Sequence, residues 1–556
     1  MKQFLKALYN EEANKVPIGI LVAGSFIIGI VGWYFTRDLF QSLDVLFWDE
    51  ANYMQSGLRI TEKFNHSWGP AYAVWYKLIS LFESDTIKLY FLNFRLLTIL
   101  PAIALFVLLA ISNIRLWVSF SLGLFFVFAN INLPVWPKVS HYCIFIFLTG
   151  MIIAKYIPSK LIKIAFISLF ALNISYARPE FFLTYVAILG LWVIALFYKD
   201  FRNTKAIIIS VLIIGFGLLI QVKMGNPLFN FQGDRSALAF AQHFMFNYFE
   251  WNHIDQDWWI TWMSYYHDLF GNVTSIKDAY HTNPKLFHLH FLTNFQNYFV
   301  QASQLYSDAM LPEKIIRIPQ IVRIVILALG GIVMIVISTN SKYLNTIVNG
   351  FKKNTLSILF MLFLVAPTVI SCFVIYPRTH YMIFQYFLLV FLISILFFSI
   401  PTANKNYDRF TLLYSVLLIG LIFILMPSTK DYHHFDLWRK ETSQANLESI
   451  EKINSYNFKG PIHLLENEGG MNIFLGKNYS WVRGFMKDTT WTAYLEKEQV
   501  DIIYVTPSLV KYPTLKQDST WYDFESHPEK YGYVKVHPGN FTPYLLIRQH
   551  LLNNKP

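Results

Sequence analysis

The sequence predicts an α-helical polytopic membrane protein that ends in a small α/β domain. Of its 556 residues, 54% are hydrophobic and only 15% are charged, whereas soluble proteins average about 25% charged residues. Apolar runs long enough to cross a hydrocarbon core of about 30 Å recur along most of the chain. After residue 426 they give way to short apolar runs between Gly and Pro residues, a pattern typical of strands and turns.

We count about eleven candidate membrane spans of suitable length. They cover residues 16–35, 92–111, 116–133, 139–157, 161–176, 180–198, 205–224, 321–339, 355–375, 381–400 and 409–426. The first run contains no charged residue, and no small-residue cleavage site follows it. We therefore expect it to be a membrane anchor rather than a signal peptide.

Lys and Arg residues in the short loops predict the orientation, because cytoplasmic loops carry an excess of both. With the amino terminus in the cytoplasm, every predicted inner loop contains at least one of them. These residues are Lys2, Lys6, Lys15, Arg115, Lys160, Lys163, Lys199, Arg202, Lys205, Lys342, Lys352, Lys353, Lys405 and Arg409. The external side then comprises residues 36–91, residues 225–320, three short turns, and residues 427–556.

The two larger external parts differ in composition. Residues 225–320 are rich in Trp, Tyr, Phe and His and contain no spanning run, which predicts aromatic amphipathic helices at the membrane interface. The terminal part contains four predicted strands, at residues 462–465, 501–505, 533–536 and 544–547. We therefore expect two domains: a membrane domain at residues 1–426, including its external loops, and an external α/β domain at residues 427–556.

Composition argues against several other classes of function. The net charge of +11 does not indicate nucleic acid binding, because the basic residues lie between apolar runs and form no dense tract. Cys143 and Cys372 are the only cysteines and lie within apolar runs, so they predict neither a disulfide framework nor a thiolate metal site. Asp255 and Asp257 have a D-x-D spacing, but so short a motif does not establish a metal site, and we expect no required cofactor.

The first external loop contains LDVLFWDEANYMQSGLRI, in which Asp49 and Glu50 are adjacent. Beside Trp48 and Tyr53, one of these carboxylates can stay partly desolvated and act as a general base toward an acceptor hydroxyl. Alternatively, the pair is solvated, or it stabilises the start of a helix at residues 51–60.

The short external turns carry further ionisable residues, against the cytoplasmic bias of basic residues. They are Lys138, His141, Arg178, Glu180, Arg378 and His380. A guanidinium group can donate two hydrogen bonds to a phosphate, and an ammonium group can bind it as a point charge. The alternatives are snorkelling at the interface, pairing of Arg178 with Glu180, and a hydrogen-bonded interfacial role for each His.

Taken in order, these motifs resemble the GT-C superfamily of membrane glycosyltransferases, most closely the branch of aminoarabinose transferases and protein mannosyltransferases. The DE-A-x-Y helix, HSWGPAYAVWYKL, and NFRLLTIL with Arg95 are similar to early family motifs; YARPEFFL and YPRTHYMIFQYFLLV are similar to later ones. Two departures are visible. Gly69 precedes a single Pro70 where the family has two prolines, and Thr379 and His380 precede Tyr381.

The resemblance implies inverting transfer of a sugar from a polyprenyl-phosphate donor to a hydroxyl of a glycan, lipid or protein, without a metal. It implies a protein of the bacterial inner membrane, with its active site and α/β domain in the periplasm. Asp49 would be the base, and Glu50 would orient the acceptor or share that role. The substrate-binding candidates are Arg178, Arg378, Lys138, His141, His380, Arg95, Arg235, Tyr53 and Glu180.

Two other readings stay open. A transporter or flippase of lipid-linked sugars also needs many spans and buried cations, and a track of cations through the membrane would favour it. A polymerase or ligase of surface polysaccharide would concentrate its chemistry in a late external loop. The early Asp49–Glu50 pair disfavours that last class.

Overall fold

The computed structural model describes residues 16–62, 64, 69–133, 137–197, 203–230, 232–256, 258–273, 275–304, 341–399, 420, 445–484, 489–539 and 543–553. Contacts between Cα atoms divide the chain into two compact units. We call Met1–Arg37, Asn65–Tyr72 and Phe94–Asp431 the helical unit. We call Asp38–Phe64, Ala73–Asn93 and Tyr432–Pro556 the mixed unit.

Most of the described residues are helical. The α-helices up to residue 304 are α1 (Ile18–Phe35), α2 (Leu39–Ser42), α3 (Asp49–Leu58), α4 (Pro70–Ile79), α5 (Thr86–Ile111), α6 (Leu116–Phe128), α7 (Val139–Lys155), α8 (Lys160–Ser175), α9 (Phe182–Phe197), α10 (Thr204–Met224), α11 (Pro227–Asn230), α12 (Gln232–Trp251), α13 (Trp258–Phe270), α14 (Ile276–Thr282) and α15 (Pro284–Gln304). Those after residue 340 are α16 (Ser341–Lys353), α17 (Thr355–Val374), α18 (Thr379–Phe398), α19 (Ala445–Ser455), α20 (Met471–Leu475), α21 (Trp491–Lys497), α22 (Pro507–Val510), α23 (Pro513–Lys516), α24 (Ser519–Ser526) and α25 (Gln549–Asn553).

Within the described part of the chain, six helical segments are long and apolar enough to cross a membrane. They are Ile18–Ser42, Thr86–Ile111, Pro179–Phe197, Thr204–Met224, Thr355–Val374 and Tyr381–Phe398. Helices suit this setting because they satisfy every backbone polar group within the segment. These six segments indicate a helical membrane protein, as predicted.

The predicted spans that fall within the described residues each overlap a helix, including the shorter apolar helices α6 and α7. The predicted spans at residues 321–339 and 409–426 lie outside the described residues, apart from residue 420. The count of about eleven therefore stays a prediction.

Close packing in the helical unit depends on a glycine in α6. A Cβ atom added to Gly123 would lie 2.9 Å from Cβ of Phe106 in α5 and 3.0 Å from Cδ1 of Ile28 in α1. Real side chains do not tolerate such distances without displacement. Glycine at this position therefore lets α1, α5 and α6 approach one another closely.

Within the aromatic segment predicted at residues 225–320, α11 to α15 run from Pro227 to Gln304, and residues 305–320 lie outside the described residues. Its rings pack mainly against each other: the centroids of Phe244 and Phe270 are 4.9 Å apart. Asn294 donates hydrogen bonds of 3.1 and 3.0 Å to the carbonyl oxygens of Phe373 and Ile375, at the end of α17. This satisfies carbonyl groups that a helix end leaves without intrahelical partners. Location at a membrane interface stays a prediction.

The mixed unit contains a five-stranded sheet in the order β2-β1-β3-β5-β4. The strands are β1 (Ile462–Leu465), β2 (Tyr479–Val482), β3 (Ile502–Val505), β4 (Tyr533–Val536) and β5 (Tyr544–Arg548). Strands β2, β1 and β3 are parallel, whereas β5 pairs antiparallel with both β3 and β4. The four predicted strands are confirmed to within a residue at each end. Strand β2 was missed, because only its first residue is buried and it lacks a clear apolar alternation.

The mixed unit also includes most of residues 36–91, which the sequence predicts to be the first external loop. Asp38–Phe64 and Ala73–Asn93 group with Tyr432–Pro556, whereas the sequence had assigned that loop to the domain at residues 1–426. Phe47 illustrates the grouping, since its ring centroid lies 6.1 Å from that of Phe474. The loop is therefore part of the compact unit formed around the sheet.

Candidate functional site

The acid pair begins helix α3, which runs from Asp49 to Leu58 and therefore starts two residues before the predicted start. Both acids lie in its first turn, where a negative charge is stabilised by the helix dipole. Neither provides a side-chain cap, because the N-cap residue is Trp48 and its side chain makes no capping hydrogen bond. The predicted alternative, in which the pair stabilises the start of a helix, therefore agrees with the structure. It is compatible with a further chemical role for either acid.

Glu50 is committed to a buried hydrogen-bond network. Glu50 is only 3% exposed. Its Oε1 atom accepts hydrogen bonds from the Tyr76 hydroxyl at 2.5 Å and from Asn93 Nδ2 at 2.9 Å. Trp75 Nε1 donates to Asn93 Oδ1 at 2.7 Å and thereby orients the amide. A buried carboxylate needs such partners, so Glu50 ties α3 to α4 and to the first part of α5.

Asp49 is in a different environment. It is half-buried, and its carboxylate has no hydrogen-bond or ion-pair partner among the residues that the structure describes. It can therefore accept a proton or a hydrogen bond from a substrate without breaking an existing interaction. Tyr53, one turn further along α3, is fully buried and packs within the mixed unit.

Three more carboxylates surround the segment before α3, and the sequence reasoning did not single them out. Asp44 Oδ1 accepts hydrogen bonds from the backbone N–H groups of Val45 and Leu447, both at 2.8 Å, and Oδ2 accepts one from Asn446 at 2.9 Å. Glu466 Oε2 accepts one from the N–H of Glu468 at 2.7 Å. The signal that could have revealed Glu466 and Glu468 is their place directly after β1, since parallel strands present functional residues at their carboxyl ends.

These carboxyl groups hold their protons more tightly than usual. Burial raises the pKa of Asp44 from 3.8 to about 7, although its three backbone hydrogen bonds act in the opposite direction. Burial, together with the charges of Glu466 and Asp44, raises the pKa of Glu468 from 4.5 to about 7. Burial also raises the pKa of Glu466. Asp44 and Glu468 therefore exchange protons near neutral pH.

In the helical unit, Lys138 and His141 converge on one carbonyl group. Lys138 is 1% exposed, and its ammonium group donates a hydrogen bond of 2.6 Å to the carbonyl oxygen of Asn132. His141 Nε2 lies 3.1 Å from the same oxygen. Lys138 Nζ also lies 4.1 Å from the ring centroid of Phe94, a cation–π distance. This distance agrees with the hydrogen bond in the predicted alternative for His141, whereas its interfacial location stays a prediction.

Arg178 joins this group through the first turn of α7. Its Nη1 donates a hydrogen bond to the hydroxyl of Ser140, the residue before His141, and its Nη2 forms an ion pair with Glu180. Its Cζ atom lies 4.5 Å from the ring centroid of Tyr381 in α18. The predicted pairing with Glu180 is therefore confirmed. The group combines two cations and one carboxylate beside a helix amino terminus, where the dipole adds positive potential.

Arg378 belongs to a neighbouring part of the helical unit. It is the N-cap residue of α18, and its charge acts together with burial to lower the pKa of His243 to about 3. His243 is therefore neutral. Its Nδ1 lies 2.6 Å from the carbonyl oxygen of Ala239, and its Nε2 has no hydrogen-bond partner among the described residues. His243 lies in α12 and is not among the candidate residues predicted from the sequence.

The remaining predicted residues are less informative. Arg95 donates a hydrogen bond of 3.0 Å to the carbonyl oxygen of Thr36, at the end of α1, and lies over the ring of Trp33, which is a packing role. His380 and Arg235 lie in α18 and α12, but their side chains lie outside the described residues. Asp255 is exposed, and Asp257 also lies outside them. In the described ranges, no group of three or more His, Cys, Asp or Glu residues could hold a metal ion; independence of metals stays a prediction.

Comparison with protein-family models finds no match, and comparison with curated proteins finds none either. A functional interpretation therefore depends on the chemistry of the residues described above.

Proposed function

We propose that this protein is an inverting glycosyltransferase that moves a sugar from a polyprenyl-phosphate donor to an acceptor hydroxyl at the external face of a membrane. In this proposal the helical unit crosses the membrane about eleven times, and the amino terminus is cytoplasmic. The observation that supports the proposal most is the division of labour within the acid pair. Glu50 is buried and hydrogen-bonded, whereas Asp49 is half-exposed and has no partner among the described residues.

The division suits general-base catalysis, which needs an available carboxylate held in a defined position. Asp49 takes the proton of the acceptor hydroxyl while the hydroxyl oxygen attacks the anomeric carbon. The bond between that carbon and the phosphate oxygen breaks, and polyprenyl phosphate leaves with the electron pair. Glu50 positions the helix turn and is not a second base, because proton transfer to it would disturb its bonds with Tyr76 and Asn93.

The cations of the helical unit provide the second part of the proposal. Negative charge develops on the leaving phosphate, and cations already in place can stabilise it by several kcal/mol. Lys138 and Arg178 supply two positive charges, of which Glu180 offsets one. Arg378 would add a further guanidinium group. For the acceptor we propose only a hydroxyl group, which a glycan, a lipid or a protein can each supply.

The direct test is a transfer assay with purified protein, a polyprenyl-phosphate sugar and a panel of hydroxyl acceptors. We expect Asp49→Asn to lower the rate by about 10²- to 10⁴-fold, the range typical of general bases. Glu62→Gln is the matched control, since Glu62 lies in the same loop and its ion pair with Lys477 is exposed. Transfer by Asp49→Asn at the rate of the control would exclude Asp49 as the base.

Transport of a lipid-linked sugar is the second candidate, because the helical unit also buries cations elsewhere. Arg115, Lys155 and Lys163 are each at most 5% exposed. Lys155 donates a hydrogen bond to Oδ1 of Asn354, and Nδ2 of Asn354 donates one to the carbonyl oxygen of Ser112. At least this cation therefore connects the ends of helices. Reconstitution into vesicles separates the two functions, since a transporter moves the donor without breaking its bond between sugar and phosphate.

A further inference from the structure

The carboxyl edge of the parallel strands in the mixed unit is the usual place for a ligand in such a sheet. Strand β1 lies between β2 and β3, and the chain crosses over β1 on its way from β2 to β3. Open α/β sheets bind ligands outside the carboxyl ends of their strands where the strand order reverses. Here that edge is formed by residues 466–470 after β1 and by the end of β3.

This edge is occupied by the protein's own first external loop. We call residues 44–48, which directly precede the acid pair, the acid-loop arm. Its Phe47 is 1% exposed, and its ring centroid lies 6.1 Å from that of Phe474 and 6.3 Å from that of Tyr504 in β3. A Cβ atom added to Gly470 would lie 2.6 Å from Cα of Phe47. Only glycine therefore allows the two backbones to approach so closely.

Polar contacts hold the other end of the arm. The Asp44 carboxylate accepts two hydrogen bonds from the N–H groups of Asn446 and Leu447, in the first turn of α19. A helix amino terminus is a ready anion site, because its first N–H groups lack intrahelical partners. The Asn446 side chain returns a hydrogen bond of 2.9 Å to the carbonyl oxygen of Val45, and it accepts one of 2.8 Å from the Tyr504 hydroxyl.

The contacts continue to the residue just before the acid pair. The side chain of Trp48, the N-cap of α3, lies close enough to Glu468 to oppose the rise in the pKa of that carboxyl group. The arm is thus attached at Asp44, Val45, Phe47 and Trp48, and α3 begins at the next residue. The attachment of the arm therefore determines the position of Asp49 and Glu50 at the start of α3.

We infer that the carboxyl-terminal α/β fold is a positioning module, whose ligand crevice is filled in cis by the acid-loop arm so that Asp49 and Glu50 are held at the start of α3. The structural part of this inference is independent of catalysis. Its consequence for sugar transfer rests on the function proposed above. Asp44, Phe47 and Gly470 are positioning residues in this assignment, because they act through the arm.

The test is hydrogen exchange on the full-length protein in detergent, measured by mass spectrometry for peptides covering residues 43–58 and for sheet peptides covering β3 and β5. We expect Phe47→Ala and Asp44→Asn each to speed exchange in residues 43–58 by at least about tenfold, because removing these contacts lets the arm open locally. Exchange in β3 and β5 should stay unchanged. Phe82→Ala is the matched control, since Phe82 belongs to the same unit and is 85% exposed.

Two outcomes would overturn the inference. Unchanged exchange in residues 43–58 for both variants would mean that the α/β fold does not hold the arm. Equal acceleration in residues 43–58 and in the sheet, again for both variants, would make the arm a part of one cooperative core rather than a held element. Neither outcome depends on transfer activity. If Asp49→Asn keeps full activity while exchange behaves as expected, the proposed function fails and the positioning module stands.

Discussion

The mixed unit and the helical unit both bury ionisable groups, but the mixed unit buries carboxylates such as Asp44 and Glu50, whereas the helical unit buries cations such as Lys138 and Arg178. In the mixed unit Asp44 and Glu50 are satisfied by N–H and O–H donors, and burial keeps the pKa of Asp44 near neutral pH. In the helical unit Lys138 is satisfied by a carbonyl oxygen, whereas Arg178 has a carboxylate partner in Glu180. Neutral dipoles leave a buried charge available to a substrate, whereas an ion pair neutralises much of it. Whether a buried charge is available to a substrate therefore depends on its partner as much as on its burial.

The sharpest test of the mixed unit compares its two adjacent acids. Asp49→Asn should lose about 10²- to 10⁴-fold in transfer rate, whereas Glu50→Gln should stay within about tenfold, because the amide oxygen can still accept from Tyr76 or Asn93. Glu50→Ala should instead destabilise the protein by about 1–3 kcal/mol for each donor left without an acceptor. Transfer rates and thermal unfolding in detergent measure the two effects. A larger loss for Glu50→Gln than for Asp49→Asn would exchange the proposed roles.

In the helical unit, Arg178 and Glu180 can be separated by paired substitutions. Arg178→Gln should lower kcat by about 10²-fold if the guanidinium group stabilises the leaving phosphate. Glu180→Gln removes the same ion pair but leaves the cation, so transfer should be maintained or increased. Arg37→Gln is the control, because Arg37 is an exposed arginine bonded to the carbonyl of Tyr34. Equal losses for Arg178→Gln and Glu180→Gln would mean that the ion pair itself is what matters.

A smaller effect should follow from crowding the arm of the mixed unit. Gly470→Val places side-chain atoms against the backbone of Phe47, and overpacking of this kind costs about 1–3 kcal/mol. We expect a lower midpoint of thermal unfolding and a lower kcat, with the KM for the donor unchanged. Gly484→Ala is the control in the same unit, since its new Cβ would meet only Asn467, with Oδ1 at 3.3 Å and Cα at 3.9 Å. Identical unfolding of both variants would show that the close approach is not required.

The smallest expected effect is a pH dependence confined to the mixed unit. Burial raises the pKa of Asp44 and of Glu468 to about 7, and the neighbouring Glu466 and Glu448 are shifted in the same direction. The unfolded chain releases the protons of Asp44 and Glu468 near pH 4, whereas the folded unit keeps them until about pH 7. The free energy of unfolding should therefore fall as pH rises from about 4 to about 7 and then level off.

Hydrogen exchange in residues 43–58, corrected for the intrinsic pH dependence of exchange, measures this effect for the arm that contains Asp44. Asp44→Asn should reduce the fall of the free energy of unfolding with pH by the part that Asp44 contributes. A profile that rises over the same interval would contradict the raised pKa values and would mean that the backbone hydrogen bonds to Asp44 outweigh its burial.

Much of the secondary structure could be predicted from the sequence for local physical reasons. An apolar run of sufficient length becomes a helix because lipid offers no partner for backbone polar groups, and each predicted span within the described residues overlaps a helix. Alternation and turn residues predicted β1, β3, β4 and β5, whereas the short edge strand β2 carried too little pattern. The position of the acid pair at a helix start was also open to prediction, because acids favour the first turn.

The different environments of Asp49 and Glu50 were decided by the tertiary structure alone. The partners of Glu50 lie 26 and 43 residues away, and Asp44 reaches a backbone N–H group 403 residues further along the chain. No periodicity or local motif contains such pairings, since they depend on how distant segments pack. The sequence by itself determined which segments are helices and strands and placed two acids side by side, and only packing made one of them a buried anchor and left the other available.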